Sequence, residues 1–217
     1  MLALPGRIGL IGDVHQEDEG LQTALRHLAD VGVSGVLCTG DIVDGFGNVW
    51  RCMDLLREAG AHLVRGNHDR WLVQNVMRNM PDALEPEALT QADRAWLGGL
   101  PATLRFDTEL GSLLLCHGLG KNDMGSVTPD DFGYALEVND DLQALMRESK
   151  VEIVVAGHTH RRMVRRFGDL VVINAGTLLR THDPGFAVAD FESRTVRFFD
   201  LAGAGIRAVP PVSLAGA

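Results

Sequence analysis

Val151-Glu152-Ile153-Val154-Val155-Ala156-Gly157-His158-Thr159-His160 is the stretch on which the reading of this chain turns. Its first six residues are apolar and β-branched but for Glu152 and Ala156, as suits a buried strand. Its last four place two imidazoles after a glycine. Residues two apart in extended backbone point to one face, so His158 and His160 look into a shared space. Paired imidazoles need a partner, and a metal ion is the usual one.

Four more strand-like runs end in the same chemistry. Residues 7–12 lead to Asp13-Val14-His15, and residues 35–39 lead to Gly40-Asp41. Residues 61–65 lead to Gly66-Asn67-His68-Asp69, and residues 112–116 lead to His117-Gly118. A lone Asp, Asn or His after a strand is an ordinary turn former or helix cap. Five such endings in one chain are not explained as independent turns. In an open α/β sheet the carboxyl ends of the strands converge on one crevice, and the adjacent glycines let the backbone turn sharply there. The donor set is oxygen and nitrogen with no thiolate, which suits Mn, Fe, Zn, Co or Ni. It is too large for one ion; two ions sharing a carboxylate would use it all.

Between these endings the apolar periodicity places helices at residues 21–31, 49–59 and 71–80. Another starts at Thr90 as a capping box and ends at Gly98-Gly99, and one more spans 139–149. The order of the first half is βαβαβ, which predicts a parallel sheet with right-handed crossovers. Hairpins are read at 163–174 around Gly168-Asp169 and at 185–201 around Glu192-Ser193-Arg194. The second half is therefore more antiparallel. Phe132 and Tyr134, in the loop 118–134, are read as core residues. Arg161, Arg162, Arg165 and Arg166 are read as a solvated hairpin face, and Arg180, His182 and Asp183 as surface. The expectation is one domain over 1–201, with 202–217, rich in Ala, Gly and Pro, as a loosely held tail.

Length and charge bound the function. A 217-residue domain buries roughly 70–75% of its unfolded surface and needs no disulfide staple. Cys38, Cys52 and Cys116 form no metal or redox pair and are read as small buried hydrophobes. A net charge of -9 argues against general nucleic-acid binding, which needs a basic face. The opening residues have no basic start and no cleavage site, and no apolar run approaches the ~18 residues of a membrane span. The expectation is a cytoplasmic protein with no membrane partner. Oligomeric state is not readable.

Taken together the five blocks resemble the calcineurin-like metallophosphoesterase superfamily: D-x-H, G-D-x-x-D, G-N-H-D, H and G-H-x-H, in that order from Asp13 to His160. Asn174-Ala175-Gly176-Thr177 also resembles the segment that follows the last block. The resemblance implies an α/β fold, a four-layer α-β-β-α sandwich of two mixed sheets flanked by helices. It implies two divalent transition-metal ions, Mn favoured. Asp13, His15, Asp41 and His160 match the ligands of the first; Asp41, Asn67, His117 and His158 match those of the second. His68 matches the catalytic histidine, and Asp44 the carboxylate that orients it, although an N-cap role for Asp44 also fits. The substrate implied is a small phosphate mono- or diester, attacked by a hydroxide bridging ions ~3.5–4 Å apart. One departure bears on the substrate: Asp44-Gly45-Phe46 lacks the arginine found here in protein phosphatases of this superfamily. The alternative is a catalytically weak member acting as a protein-binding scaffold or nucleotide sensor.

Overall fold

Two faces of apolar packing explain why the central strands read as almost unbroken runs of Val, Ile and Leu. The computed structural model describes residues 2–148, 150–203 and 205–215. In chain order these form β1 (Leu2–Ala3), β2 (Arg7–Ile11), α1 (Asp18–Asp30), β3 (Gly35–Cys38), α2 (Val49–Glu58), β4 (His62–Leu63) and α3 (Asn67–Gln74). A 3₁₀ turn at Pro86–Ala88 precedes α4 (Gln91–Gly99), β5 (Thr103–Thr108), β6 (Gly111–Cys116), α5 (Tyr134–Glu137) and α6 (Asp140–Arg147). The chain continues through β7 (Ile153–Ala156), β8 (Met163–Phe167), β9 (Leu170–Asn174), β10 (Gly185–Asp190), β11 (Thr195–Ala202), β12 (Gly205–Ala208) and β13 (Val212–Ser213).

Two mixed sheets result. One has the order β1-β5-β6-β7-β9-β8; the other is β12-β11-β10-β2-β3-β4, with β13 also on β11. The βαβαβ reading holds for β2, β3 and β4, which pair in parallel. The C-terminal hairpin β10–β11 then joins that same sheet, antiparallel to β2. In the other sheet β6, β7 and β9 are parallel, so that sheet is mixed rather than mainly antiparallel.

Alternation along each strand divides its residues between cores. Ile153 and Val155 of β7 face the space between the sheets with Leu113, Leu115, Phe106, Ile8, Leu10 and Leu37. Val154 and Ala156 face outward, where Leu142 and Leu145 of α6 cover them. On the far side, α1, α2, α3 and α4 press Leu21, Leu28, Met53, Leu56, Leu72 and Leu97 onto the other sheet. This is the four-layer α-β-β-α sandwich. The three cysteines are buried and free. No helix among the described residues is long and apolar enough to cross a membrane.

Several boundaries differ from expectation for local reasons. The helix read at 71–80 is α3, which starts at Asn67 and stops at Gln74. It starts early because Asp69, in its first turn, accepts from the Gly66 N–H at 2.9 Å. It stops because Asn75 adopts φ 54°, a left-handed cap. Thr90 and Asp93 form the capping box of α4, and Asn139 caps α6. Ser149, at the end of the helix read at 139–149, lies outside the described residues. Residues 202–217, expected as a loosely held tail, contribute β12 and β13 to the edge at β11 and bury Leu214; Ala204, Gly216 and Ala217 lie outside the described residues. Phe132 and Tyr134 are 68% and 76% exposed, not core, and flank Gly133 at φ 55°.

Phe106 is fully buried between the sheets. Phe106→Ala should destabilise the fold by about 3–5 kcal/mol through lost burial and the cavity left behind. Urea unfolding measures this; a loss under about 1 kcal/mol would contradict the inter-sheet packing.

Candidate metal centre

The strand ends β2, β3, β4, β6 and β7 open on one edge of the sandwich, and the blocks that follow them meet there. Asp13, His15, Asp41, Asn67 and His117 are all buried, between 0% and 3% exposed. His68, His158 and His160 are half-buried at the mouth. The backbone is bent to bring them together. Among the described residues, nine non-glycine residues have positive φ, and five of these are His15, Asp41, Asp44, His158 and His160. Each such conformation costs free energy that only the surrounding packing can hold.

One half of the cluster gathers Asp13, His15, Asp41 and His160, whose ligand-capable atoms all lie within 4.8 Å of one another. His15 Nδ1 lies 2.7 Å from the Asp44 carbonyl and donates to it, which turns His15 Nε2 inward. That Nε2 sits 3.0 Å from His160 Nε2, and His160 Nε2 is 3.3 Å from Asp13 Oδ2. In the other half, Asn67 Oδ1 lies 2.8 Å from His117 Nε2 and 3.0 Å from His158 Nδ1. His117 Nδ1 donates to the Thr39 carbonyl at 2.8 Å, and its Nε2 is 3.3 Å from Asp41 Oδ2. Asp41 thus stands between the halves, 3.8 Å from His15 Nε2 on its other side.

The chemistry of these atoms fits a cation. Asp13 Oδ2 is buried and has no hydrogen-bond partner, which is costly for a carboxylate oxygen. With one proton on each ring, and that of His15 on Nδ1, at most one proton serves Asp13 Oδ2, His15 Nε2 and His160 Nε2 together. The electrostatics show the same unmet demand. Burial, reinforced by Asp41, pushes the Asp13 carboxyl up to about 6 against the pull of His117 and His15. Burial also opposes the Asp41 charge, but His117, His15 and His68 outweigh it and hold Asp41 well below the usual range. Burial and the neighbouring His15 and His182 rings push His160 down to about 3. Burial lowers His158 as well.

His68 and Asp44 sit beside this cluster. His68 Nδ1 is 2.8 Å from Asp44 Oδ2. Burial disfavours the charged ring, yet the Asp44 and Asp41 carboxylates outweigh it and hold His68 above the usual imidazole range. Asp44 is fully buried and does not cap α2; Asn48 does that. The orienting geometry, not the N-cap alternative, is the one present.

Of the supporting residues, Asp69 and Asn174 lie in blocks the sequence marks, whereas Thr39, Arg70 and Arg78 carry no signal there. Thr39 Oγ1 donates to Asp13 Oδ1 at 2.9 Å. Asp69 accepts from the backbone of Ile42 and Gly66, at 2.8 and 2.9 Å, tying the second block to the third. Asn174 Nδ2 donates to the Gly157 carbonyl at 2.6 Å. Arg70 makes a forked bond to Asp123, at 2.6 and 2.9 Å, pinning the loop 118–134 to α3. Arg78 does the same to Asp44. The hairpin arginines are not simply solvated: Arg162 pairs with Asp200, and Arg165 donates to the carbonyls of Thr128 and Asp131. His182 is exposed, yet its ring centre lies 4.8 Å from that of His160. A polar cavity of about 800 Å³ opens beside His160, with Arg161, His182 and Arg207 in its walls. Another, of about 630 Å³, is lined by Glu109 and Glu152 and includes none of the candidate ligands.

Residues 7–194 match the calcineurin-like phosphoesterase superfamily domain. The chain belongs to that superfamily. Its members are mostly metal-dependent phosphoesterases that use divalent metals. Over 62 residues the chain is 36% identical to the uncharacterized protein MJ0912 of Methanocaldococcus jannaschii, a stretch spanning 29% of this chain and 26% of that relative. The hypothetical protein PH1004 of Pyrococcus horikoshii has a similar structure, with TM-score 0.73 at 18% identity, over 90% of this chain and 87% of that one. A metallophosphoesterase from Sphaerobacter thermophilus gives 0.67 at 19% identity, over 91% and 88%. These structural likenesses establish a shared fold. They carry nothing about substrate.

Gly157 tests how tightly the cluster is packed. A methyl group there would overlap Asp13 Oδ1 and Thr39 Oγ1. Gly157→Ala should cost about 1–3 kcal/mol by overpacking in chelator-treated protein. Gly99→Ala, whose methyl meets nothing within 4 Å, is the neutral control. Equal urea midpoints for the two variants would contradict the close approach.

Proposed function

We propose that the chain is a metal-dependent phosphoesterase hydrolysing a small phosphate mono- or diester. The observation that carries this reading is the meeting of two buried carboxylates, Asp13 and Asp41, with four imidazoles and the Asn67 amide, with Asp13 Oδ2 unpartnered. Asp13, His15, Asp41 and His160 would hold one divalent cation. Asp41, Asn67, His117 and His158 would hold a second, with Asp41 shared and manganese the favoured metal. When bound, such a pair supplies Lewis acidity toward phosphoryl oxygens and activates water at neutral pH.

The chain's own groups prepare that chemistry. The Asp44 and Thr39 carbonyls fix the tautomers of His15 and His117, so that both present Nε2 to the centre. The donor set also limits the protein charge: Asp13 and Asp41 are its only carboxylates, so cations there keep a surplus that attracts phosphate. His68 is the proton carrier. Its Nδ1–H is held by Asp44, which leaves Nε2–H to donate to the departing ester oxygen. Burial disfavours the charged ring, but Asp44 and Asp41 outweigh it and bias His68 toward the protonated form that can act as an acid.

The scaffold alternative has no use for a histidine 18% exposed at the mouth of the cluster and backed by a fully buried carboxylate. That pair favours turnover. Protein stripped with chelator and reloaded with Mn, Fe, Zn, Ni or Mg should hydrolyse an aryl phosphate monoester or the matching diester in at least one metal form. In that form, His68→Ala should keep its bound metal and lose about 10²–10⁴-fold in kcat. Loss of metal on His68→Ala would make His68 a ligand. Absence of turnover in every metal form would favour the scaffold.

A further inference from the structure

Arg78 lies in the irregular segment between α3 and the 3₁₀ turn, and that segment is stitched to Asp44. Its two terminal nitrogens donate to Asp44 Oδ1 and Oδ2, each at 2.9 Å. Its Nε donates to the Val76 carbonyl at 2.9 Å, and one terminal nitrogen also reaches the Leu84 carbonyl at 3.0 Å. The Leu84 N–H returns to Asp44 Oδ1 at 2.8 Å. The Arg78 side chain is 10% exposed and that of Asp44 is 0%. Asp44 itself sits at φ 60°, a conformation that relies on its surroundings.

Asp44 serves two rings at once. Its carboxylate receives His68 Nδ1–H and its carbonyl receives His15 Nδ1–H. Without Arg78 the carboxylate would keep only the Leu84 N–H on Oδ1 and the ring it must aim on Oδ2, and its terminal torsion is broad. A planar guanidinium gripping both oxygens fixes the plane. We propose that Arg78 is a positioning residue: its fork sets the plane of the Asp44 carboxylate and thereby the angle at which His68 presents Nε2. This rests on the phosphoesterase reading given above. Arg78 belongs to none of the five blocks, and its hydrogen bonds go to Asp44, Val76 and Leu84 rather than to any candidate metal ligand. It acts only through Asp44.

A positioning role has a signature that simple structural support lacks. If Arg78 acts by aiming the acid, its loss matters most when the departing group needs a proton. Metal-loaded protein should be compared on aryl phosphate esters of rising leaving-group pKa. Arg78→Ala should lower kcat about 10–100-fold on the poorest leaving group and far less on the best. KM and bound metal per chain should be unchanged. Added methylguanidinium should restore part of the lost kcat. Arg78→Lys keeps the charge and stem without the fork, so it should show the same leaving-group dependence; it also carries the comparison should Arg78→Ala not fold. Wild-type kcat in either variant, or an equal loss on every ester without rescue, would overturn the proposal. A wild-type chain inactive on every ester would instead fail the underlying reading, and this proposal with it.

Discussion

Asp13 and Asp41 bring two carboxylates into a core where they are 0% and 1% exposed, and the edge of the sandwich is built around balancing them. Moving an ion from water to the interior costs several kcal/mol after relaxation. Histidines on every side provide the compensation available within the chain, and it is incomplete, since Asp13 Oδ2 has no donor. The demand explains the topology as much as the chemistry. Parallel strands with helical crossovers deliver their carboxyl ends to one edge, so residues 13 and 160 can lie 3.3 Å apart. It also explains the backbone. Left-handed non-glycine residues concentrate here because the side chains must turn back toward a common point.

Around this centre lies a layer whose purpose is stiffness. Thr39 holds Asp13 with its hydroxyl and His117 with its carbonyl. Asp69 joins two loops by accepting from three backbone N–H groups. Arg70 and Arg165 anchor the long loop that follows His117, one from α3 and one from β8. Glycines complete it where chains nearly touch: a methyl on Gly12 would overlap the Gly176 carbonyl, and one on Gly45 that of His15. A site assembled from five distant segments keeps its geometry only if such contacts remove the slack.

The fold and the central cluster are legible in the sequence because each rests on local pattern. Short apolar runs mark the strands, and Asp, Asn and His next to glycine mark their ends. Helix starts read well where caps are strong, as at Thr90 and Asn139. What escapes is whatever depends on long-range pairing. β2 pairs with β10, which lies near the far end of the chain, and nothing local in residues 185–190 announces it. The end of α3 is misread because Asn75 closes the helix by a left-handed turn while the apolar pattern continues through Val76 and Met77. Arg78 escapes because an arginine in an irregular segment carries no signal of the carboxylate it will grip 34 residues away. Asp44 reads from sequence as either cap or orienting group; in the fold its carboxylate meets His68 while Asn48 caps α2.

The central claim is that this cluster holds a pair of divalent cations. Diffraction from crystals grown with manganese, recorded on both sides of its absorption edge, tests it directly. Two anomalous peaks should appear, one against Asp13, His15 and His160 and one against Asn67, His117 and His158, with Asp41 touching both. A map with no peak among these side chains, while manganese binds elsewhere on the molecule, would contradict the account.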